Sequence, residues 1–140
     1  MITRIIVAGL IKNKTGELLF CKMPKDRGVF PGKWGFPGGG IEPDETLETG
    51  LRRELREEIG VEVSDIQRLF FKDGRHEKIG SDGSKSDVYM IFLVFTCVAE
   101  SENLKLNDEF TDYKWVPEEE YATLDLNIET IDTLKQLSQI

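Results

Sequence analysis

Apolar positions along the 140-residue chain fall into short blocks of different period. Residues 3–12 and 17–23, rich in Ile, Val, Leu and Phe, read as two strands joined by a hairpin-type turn at Asn13-Lys14-Thr15-Gly16. A loop punctuated by proline and glycine runs from Pro24 to Lys33 and delivers Trp34-Gly35-Phe36-Pro37 into a glycine run ending at Gly40. There the period changes. Leu47, Leu51, Leu55 and Ile59 recur every four residues, the stripe of an amphipathic helix. Pro43 and Asp44 mark its start, with Asp44 or a neighbour as the cap, and Gly60 stands where a helix-ending glycine belongs.

Beyond this helix, Ile66–Lys72 reads as a strand and the polar, glycine-bearing stretch 73–87 as a loop with a turn at Asp82-Gly83. The lone histidine, His76, falls in that loop and is assigned no chemistry. Val88–Phe95 is continuously apolar, β-branched and aromatic, which predicts a central strand buried on both faces. An acidic loop at 105–112 leads into a short strand, Tyr113–Val116, and a helical turn, Glu118–Tyr121. From Asn127, Ile128, Ile131, Leu134 and Leu137 outline a C-terminal amphipathic helix. Strands surrounding one helix and closed by another predict a single mixed α/β domain over residues 1–140.

Charge adds the first functional constraint. A formal net charge of −8 argues against a nucleic-acid polymer as partner, because phosphate backbones are bound by basic patches. The excess is concentrated: between residues 42 and 62, Glu42, Asp44, Glu45, Glu48, Glu54, Glu57, Glu58 and Glu62 face only Arg52, Arg53 and Arg56. Glu54, Glu57 and Glu58 stand at i, i+3 and i+4, so they share one helix face about a quarter-turn from the leucine stripe. Carboxylates this close repel unless a cation sits among them, and an all-oxygen cluster suits a hard divalent ion, Mg²⁺ above all. Taken alone, Arg-Glu-Leu-Arg-Glu-Glu is an ordinary solvated helix face; its setting behind a glycine run gives it weight.

Cys21 and Cys97 lie in apolar strand-like runs without metal-ligand spacing, so both read as buried free thiols of a reducing compartment. The apolar N-terminus lacks a small-residue cleavage site, and the longest apolar run, Val88–Ala99, is too short to span a bilayer. A cytoplasmic protein with no membrane partner is expected, as a monomer or homodimer. The loop bearing Arg27, Phe30, Lys33 and Trp34 is a candidate substrate lip, with aromatics to stack a base and cations to meet phosphates. The alternative is that Phe30 and Trp34 fill the core beneath the loop.

The pattern Gly39-x5-Glu45-x7-Arg53-Glu54-Leu55-x-Glu57-Glu58-x-Gly60-Val61 resembles the Nudix box, spanning 39–61. That resemblance implies an α/β/α sandwich with a mixed sheet and a loop–helix–loop catalytic motif. It implies that Glu54, Glu57 and Glu58, with the Gly39 carbonyl, hold Mg²⁺ (Mn²⁺ as a substitute), supported by Arg53 and Glu45. The general base differs among members of the family: Glu54 and Glu109 are both open. Residues 21–36, 89–98, 107–116 and 125–127 further resemble a nucleoside triphosphatase branch of the family. This implies hydrolysis of nucleoside triphosphates to monophosphate and pyrophosphate, favouring dUTP, dTTP and dCTP. A nucleotide sugar or dinucleoside polyphosphate as substrate, or a non-catalytic nucleotide sensor, are the alternatives.

Overall fold

The computed structural model describes residues 1–137. In chain order the elements are β1 (Ile2–Lys12), β2 (Leu18–Lys22), β3 (Trp34–Gly35), β4 (Gly38–Gly40), α1 (Leu47–Ile59), β5 (Val63–Ile79), β6 (Lys85–Ala99), β7 (Asp112–Val116), a 3₁₀ helix (Glu118–Thr123) and α2 (Ile128–Gln136). Among the described residues the strands form one seven-stranded sheet with the path β3-β2-β1-β6-β5. β1 and β6 run parallel from Ile2↔Val88 to Lys12↔Val98, and the remaining pairs are antiparallel, so the sheet is mixed.

Period-two alternation divides the core between the two faces of this sheet. Ile6 and Leu10 of β1, Leu18 and Phe20 of β2, and Val88, Met90, Phe92 and Val94 of β6 pack with Tyr121 and with Leu134 of α2. Val7, Ile11, Leu19, Cys21, Phe95 and Cys97 point the other way and pack against Leu51, Leu55 and Ile59 of α1. The sandwich and the four-residue stripe of α1 follow the sequence. Both cysteines are free and buried, and burial pushes the Cys97 thiol up to about 12.

One edge of β1 creates the opening that matters for function. β4 pairs with Ile6–Ala8, whereas β2 meets β1 at Lys12↔Leu18. Neighbours thus change along a single edge, and the sheet divides there.

Four expectations are corrected. β5 extends to Ile79 and β6 begins at Lys85, so 73–87 is a long hairpin whose turn is confined to the residues around Asp82-Gly83. Its even positions, Lys72, Gly74, His76 and Lys78, are less exposed than its odd ones, a strand alternation that polar side chains obscured. The cap of α1 is Thr46, paired with Thr49 in a capping box, while Pro43 and Asp44 precede it in the loop. In α2 the buried positions are Thr130, Thr133 and Leu134, and Ile128 is 63% exposed. A three-residue spacing advances only about 300° per step, so such a stripe drifts off any one face within three steps. Finally, β6 is central, but its Tyr89, Ile91 and Leu93 face is only partly covered.

Leu55 is fully buried between α1 and the sheet. Leu55→Ala is expected to lower unfolding free energy by about 2–5 kcal/mol, read as a reduced urea midpoint at unchanged m-value.

Candidate active site

The docking of α1 on β4 explains the glycine run. Gly38 has φ +154°, and a Cβ there would strike the Val7 carbonyl. A Cβ at Gly39 would collide with the Glu54 carboxylate. Only a backbone without side chains lets Glu54 approach the strand this closely.

Arg53 organises the carboxylates. Its Nε and Nη2 donate to the two oxygens of Glu45 at 2.6 and 2.8 Å, a bidentate pair. Nη1 reaches Glu54 at 3.0 Å and Glu57 at 3.2 Å, and Nη2 also donates to the Gly40 carbonyl at 3.0 Å. The Arg53 hydrogen bonds hold the Glu45 carboxyl down at about 2, helped by the Glu42 backbone amide. Glu54 is pushed above its ordinary range by burial, with Glu57 and Glu109 adding repulsion that Arg53 opposes.

Glu58 is the exceptional member. It is 5% exposed, and its Oε1 has no hydrogen-bond partner. Burial first, then repulsion from Glu54 and Glu109, lifts its carboxyl to about 9, against the pull of the Gly38 backbone amide. Among the described residues no closed cage of three metal-ligating side chains is preformed, since Arg53 occupies Glu54 and Glu57. The donor set nevertheless fits a divalent cation: an orphaned buried carboxylate oxygen, two neighbouring carboxylates and a glycine backbone, all oxygen ligands.

The acidic loop is brought here by the end of α1. The carbonyls of Glu58 and Ile59 accept from the Asn107 and Lys105 backbone amides at 3.0 Å each, which satisfies groups a helix end leaves free. Asn107 Oδ1 then accepts from the Glu109 amide at 2.9 Å. Glu109 thereby joins Gly39, Glu54, Glu57 and Glu58 on a cavity of about 380 Å³ at the sheet division.

The cavity continues over Ile6, Ala8, Phe36, Met90, Phe92 and Val94 to a wall formed by α2, with Asn127, Glu129, Thr130 and Thr133. Phe30 lines it from the lip. Arg53 stands behind the carboxylates rather than on the cavity. Arg27 does not line it either; its Nη2 donates to the Asp108 carbonyl at 2.5 Å and ties the lip to the acidic loop. Trp34 is 7% exposed and belongs to the core, with Lys114 Nζ 5.2 Å from its ring centroid. Pairing of β3 with β2 turns its indole inward, the alternative held open by the sequence.

His76 is not a loop residue without contacts. Its Nε2 lies 2.5 Å from Glu129 Oε2, and its ring packs edge-on against Phe30 at 5.0 Å. Lys72 Nζ bonds Glu129 Oε1 at 2.7 Å and Asp132 at 2.5 Å. A side chain at Gly74 would collide with Glu129. β5, α2 and the lip are thus joined around Glu129, a junction sequence reasoning missed. Every residue from Lys72 to Lys78 is polar or glycine, so no local alternation marked the strand, and pairing with residues more than fifty positions away was not legible.

A family model described as NUDIX domain matches residues 2–137. The chain belongs to the Nudix family. Nucleoside triphosphatase NudI of Salmonella arizonae is 48% identical over 134 residues, covering 94% of each chain. NudI of Escherichia coli O81 is 47% identical with the same coverage. Among solved structures, the MutT protein from Methanosarcina mazei Go1 superposes with a TM-score of 0.73 at 28% identity, covering 99% of this chain and 94% of that one. The Nudix domain of Shewanella oneidensis NrtR, solved with ADP ribose, shares the fold at TM-score 0.75 and 19% identity, over 99% of this chain and 88% of that one. Among the described residues of this Nudix chain no helix is long and apolar enough to cross a membrane.

Glu58 yields a pH prediction. Its folded pKa, about 9, lies above the reference of 4.5, so the folded state holds a proton that the unfolded state releases. The metal-free fold therefore loses stability as pH rises from about 4.5 toward 9. Glu58→Gln in EDTA should melt above wild type at pH 8, with the gap closing toward pH 4.5; thermal melts across that range test it.

Proposed function

We propose that this Nudix protein hydrolyses nucleoside triphosphates to nucleoside monophosphate and pyrophosphate, with Mg²⁺ held by Glu54, Glu57, Glu58 and the Gly39 carbonyl, and that Mn²⁺ can replace it. The observation that carries this reading is the orphaned, buried Glu58 oxygen beside two further carboxylates on a cavity whose other half is apolar. When bound, the ion neutralises phosphate charge and makes water a better nucleophile. Arg53 orients Glu54 and Glu57 and keeps Glu45 ionised behind them. Glu109 takes the proton of the attacking water: it lines the same cavity and forms no ion pair among the described residues, whereas Glu54 is held by Arg53. Phe30, with Ile6, Phe36, Met90 and Phe92, offers an apolar bed for the nucleoside, and pyrimidine deoxynucleotides (dUTP, dTTP, dCTP) are the preferred substrates. Arg27 acts from the lip by fixing the acidic loop; Trp34 supports that lip from the core.

Product analysis tests this across the nucleoside triphosphates, a nucleotide sugar and a dinucleoside polyphosphate, in Mg²⁺ and in EDTA. Monophosphate and pyrophosphate are expected, fastest from the pyrimidine deoxynucleotides and only with metal. Glu57→Gln should lower kcat/KM by about 100-fold or more. Glu109→Gln should lower kcat by about 100-fold with little change in KM. Turnover only of the sugar or the dinucleotide would overturn the substrate assignment. Nucleotide binding without turnover of anything would make the protein a sensor.

A further inference from the structure

We propose that Arg4 is a phosphate-chain clamp, its guanidinium binding the triphosphate from the cavity lining beside Gly40, at the end of the glycine strand. The inference rests on the triphosphate reading above, and it assigns a substrate-binding residue that lies outside the Nudix box and outside the lip.

Arg4 lies on β1 on the same face as Ile6 and Ala8, and with them it lines the cavity. Its guanidinium reaches over the end of the glycine strand, where a Cβ at Gly40 would stand 3.1 Å from Nη2. The guanidinium therefore uses room that a side chain at position 40 would crowd. That places a cation beside β4, the strand on which Glu54 docks.

Its lack of a partner is the decisive feature. Glu42 and Glu45 border the neighbouring groove together with Arg4. Arg53 holds Glu45 in a bidentate pair and stands 4.0 Å from Glu42, and Arg4 makes no ion pair among the described residues. The other cations near the cavity are engaged or remote. Lys72 is held by Glu129 and Asp132, and Arg27 by the Asp108 carbonyl. Lys78 also lines the cavity, but on β5, with β1 and β6 between it and β4. In a chain of net charge −8, a cavity-lining guanidinium left without a carboxylate takes its counter-ion from the ligand. Its planar fork matches two phosphate oxygens, which an ammonium does not.

The test measures binding of Mg²⁺-tripolyphosphate and of thymidine by calorimetry, and dTTP kinetics, for wild type, Arg4→Gln and Arg4→Lys. Arg4→Gln should weaken tripolyphosphate and raise KM for dTTP by about 10- to 100-fold, with thymidine binding unchanged and Arg4→Lys intermediate. Tripolyphosphate affinity within about twofold of wild type in Arg4→Gln overturns the proposal. So does an equal loss of thymidine, which would mean a disturbed pocket, or a wild type that does not bind tripolyphosphate. The two readings fail separately. Wild-type turnover of triphosphates with Arg4→Gln unaffected removes only the clamp. Arg4-dependent tripolyphosphate binding without triphosphate turnover removes only the hydrolase.

Discussion

Like charges on adjacent helical turns repel, so a helix face bearing Glu54, Glu57 and Glu58 is held together only by what faces it. Arg53 supplies the protein's own answer. One guanidinium spans Glu45, Glu54, Glu57 and the Gly40 carbonyl, tying the loop before α1, the helix and the glycine strand into one unit. Glu58 is left outside that network, buried and without a partner for one oxygen. Arg53 therefore pairs with the outer carboxylates, while burial leaves the inner one holding a proton. The two roles are separable because a guanidinium has a fixed fork and cannot turn to serve every acid around it.

The second constraint is the division of the sheet. Were β2 paired along the whole of β1, the glutamates on the α1 side and the apolar surface on the α2 side would be separated by continuous backbone. Because β4 replaces β2 beside Ile6–Ala8, the carboxylates and the apolar bed open onto a single cavity. A ligand with an anionic end and an aromatic end can lie across it. Arg4 stands on β1 two residues before that stretch, with its guanidinium beside Gly40.

The far wall is built differently. Lys72, Gly74 and His76 present one face of β5 to the first turn of α2, where Lys72 Nζ and His76 Nε2 each meet one oxygen of Glu129. Phe30 rests on His76, and Gly28 pairs with Ile79, so the lip is anchored to the hairpin rather than free. The same loop is tied through Arg27 to the segment carrying Glu109. Displacing the lip would therefore act at both ends of the cavity.

What the sequence settled by itself was whatever depends on neighbours a few positions away. The four-residue stripe of α1, the stacking of Glu54, Glu57 and Glu58 and the strand character of β1, β2 and β6 are all short-range patterns. So was the family, because the box is nearly continuous. Tertiary structure decided what long-range pairing sets. It put Trp34 into the core and drew the polar stretch around His76 into a strand by pairing it with β6. It also rotated Ile128 outward and left Arg4 without a carboxylate. Polar residues in an edge strand carry no hydrophobic alternation to betray them, and a three-residue repeat looks amphipathic until a surface is there to drift away from. Whether a given cation is free depends on which acids other cations have already taken, and that is fixed only when the chain is folded.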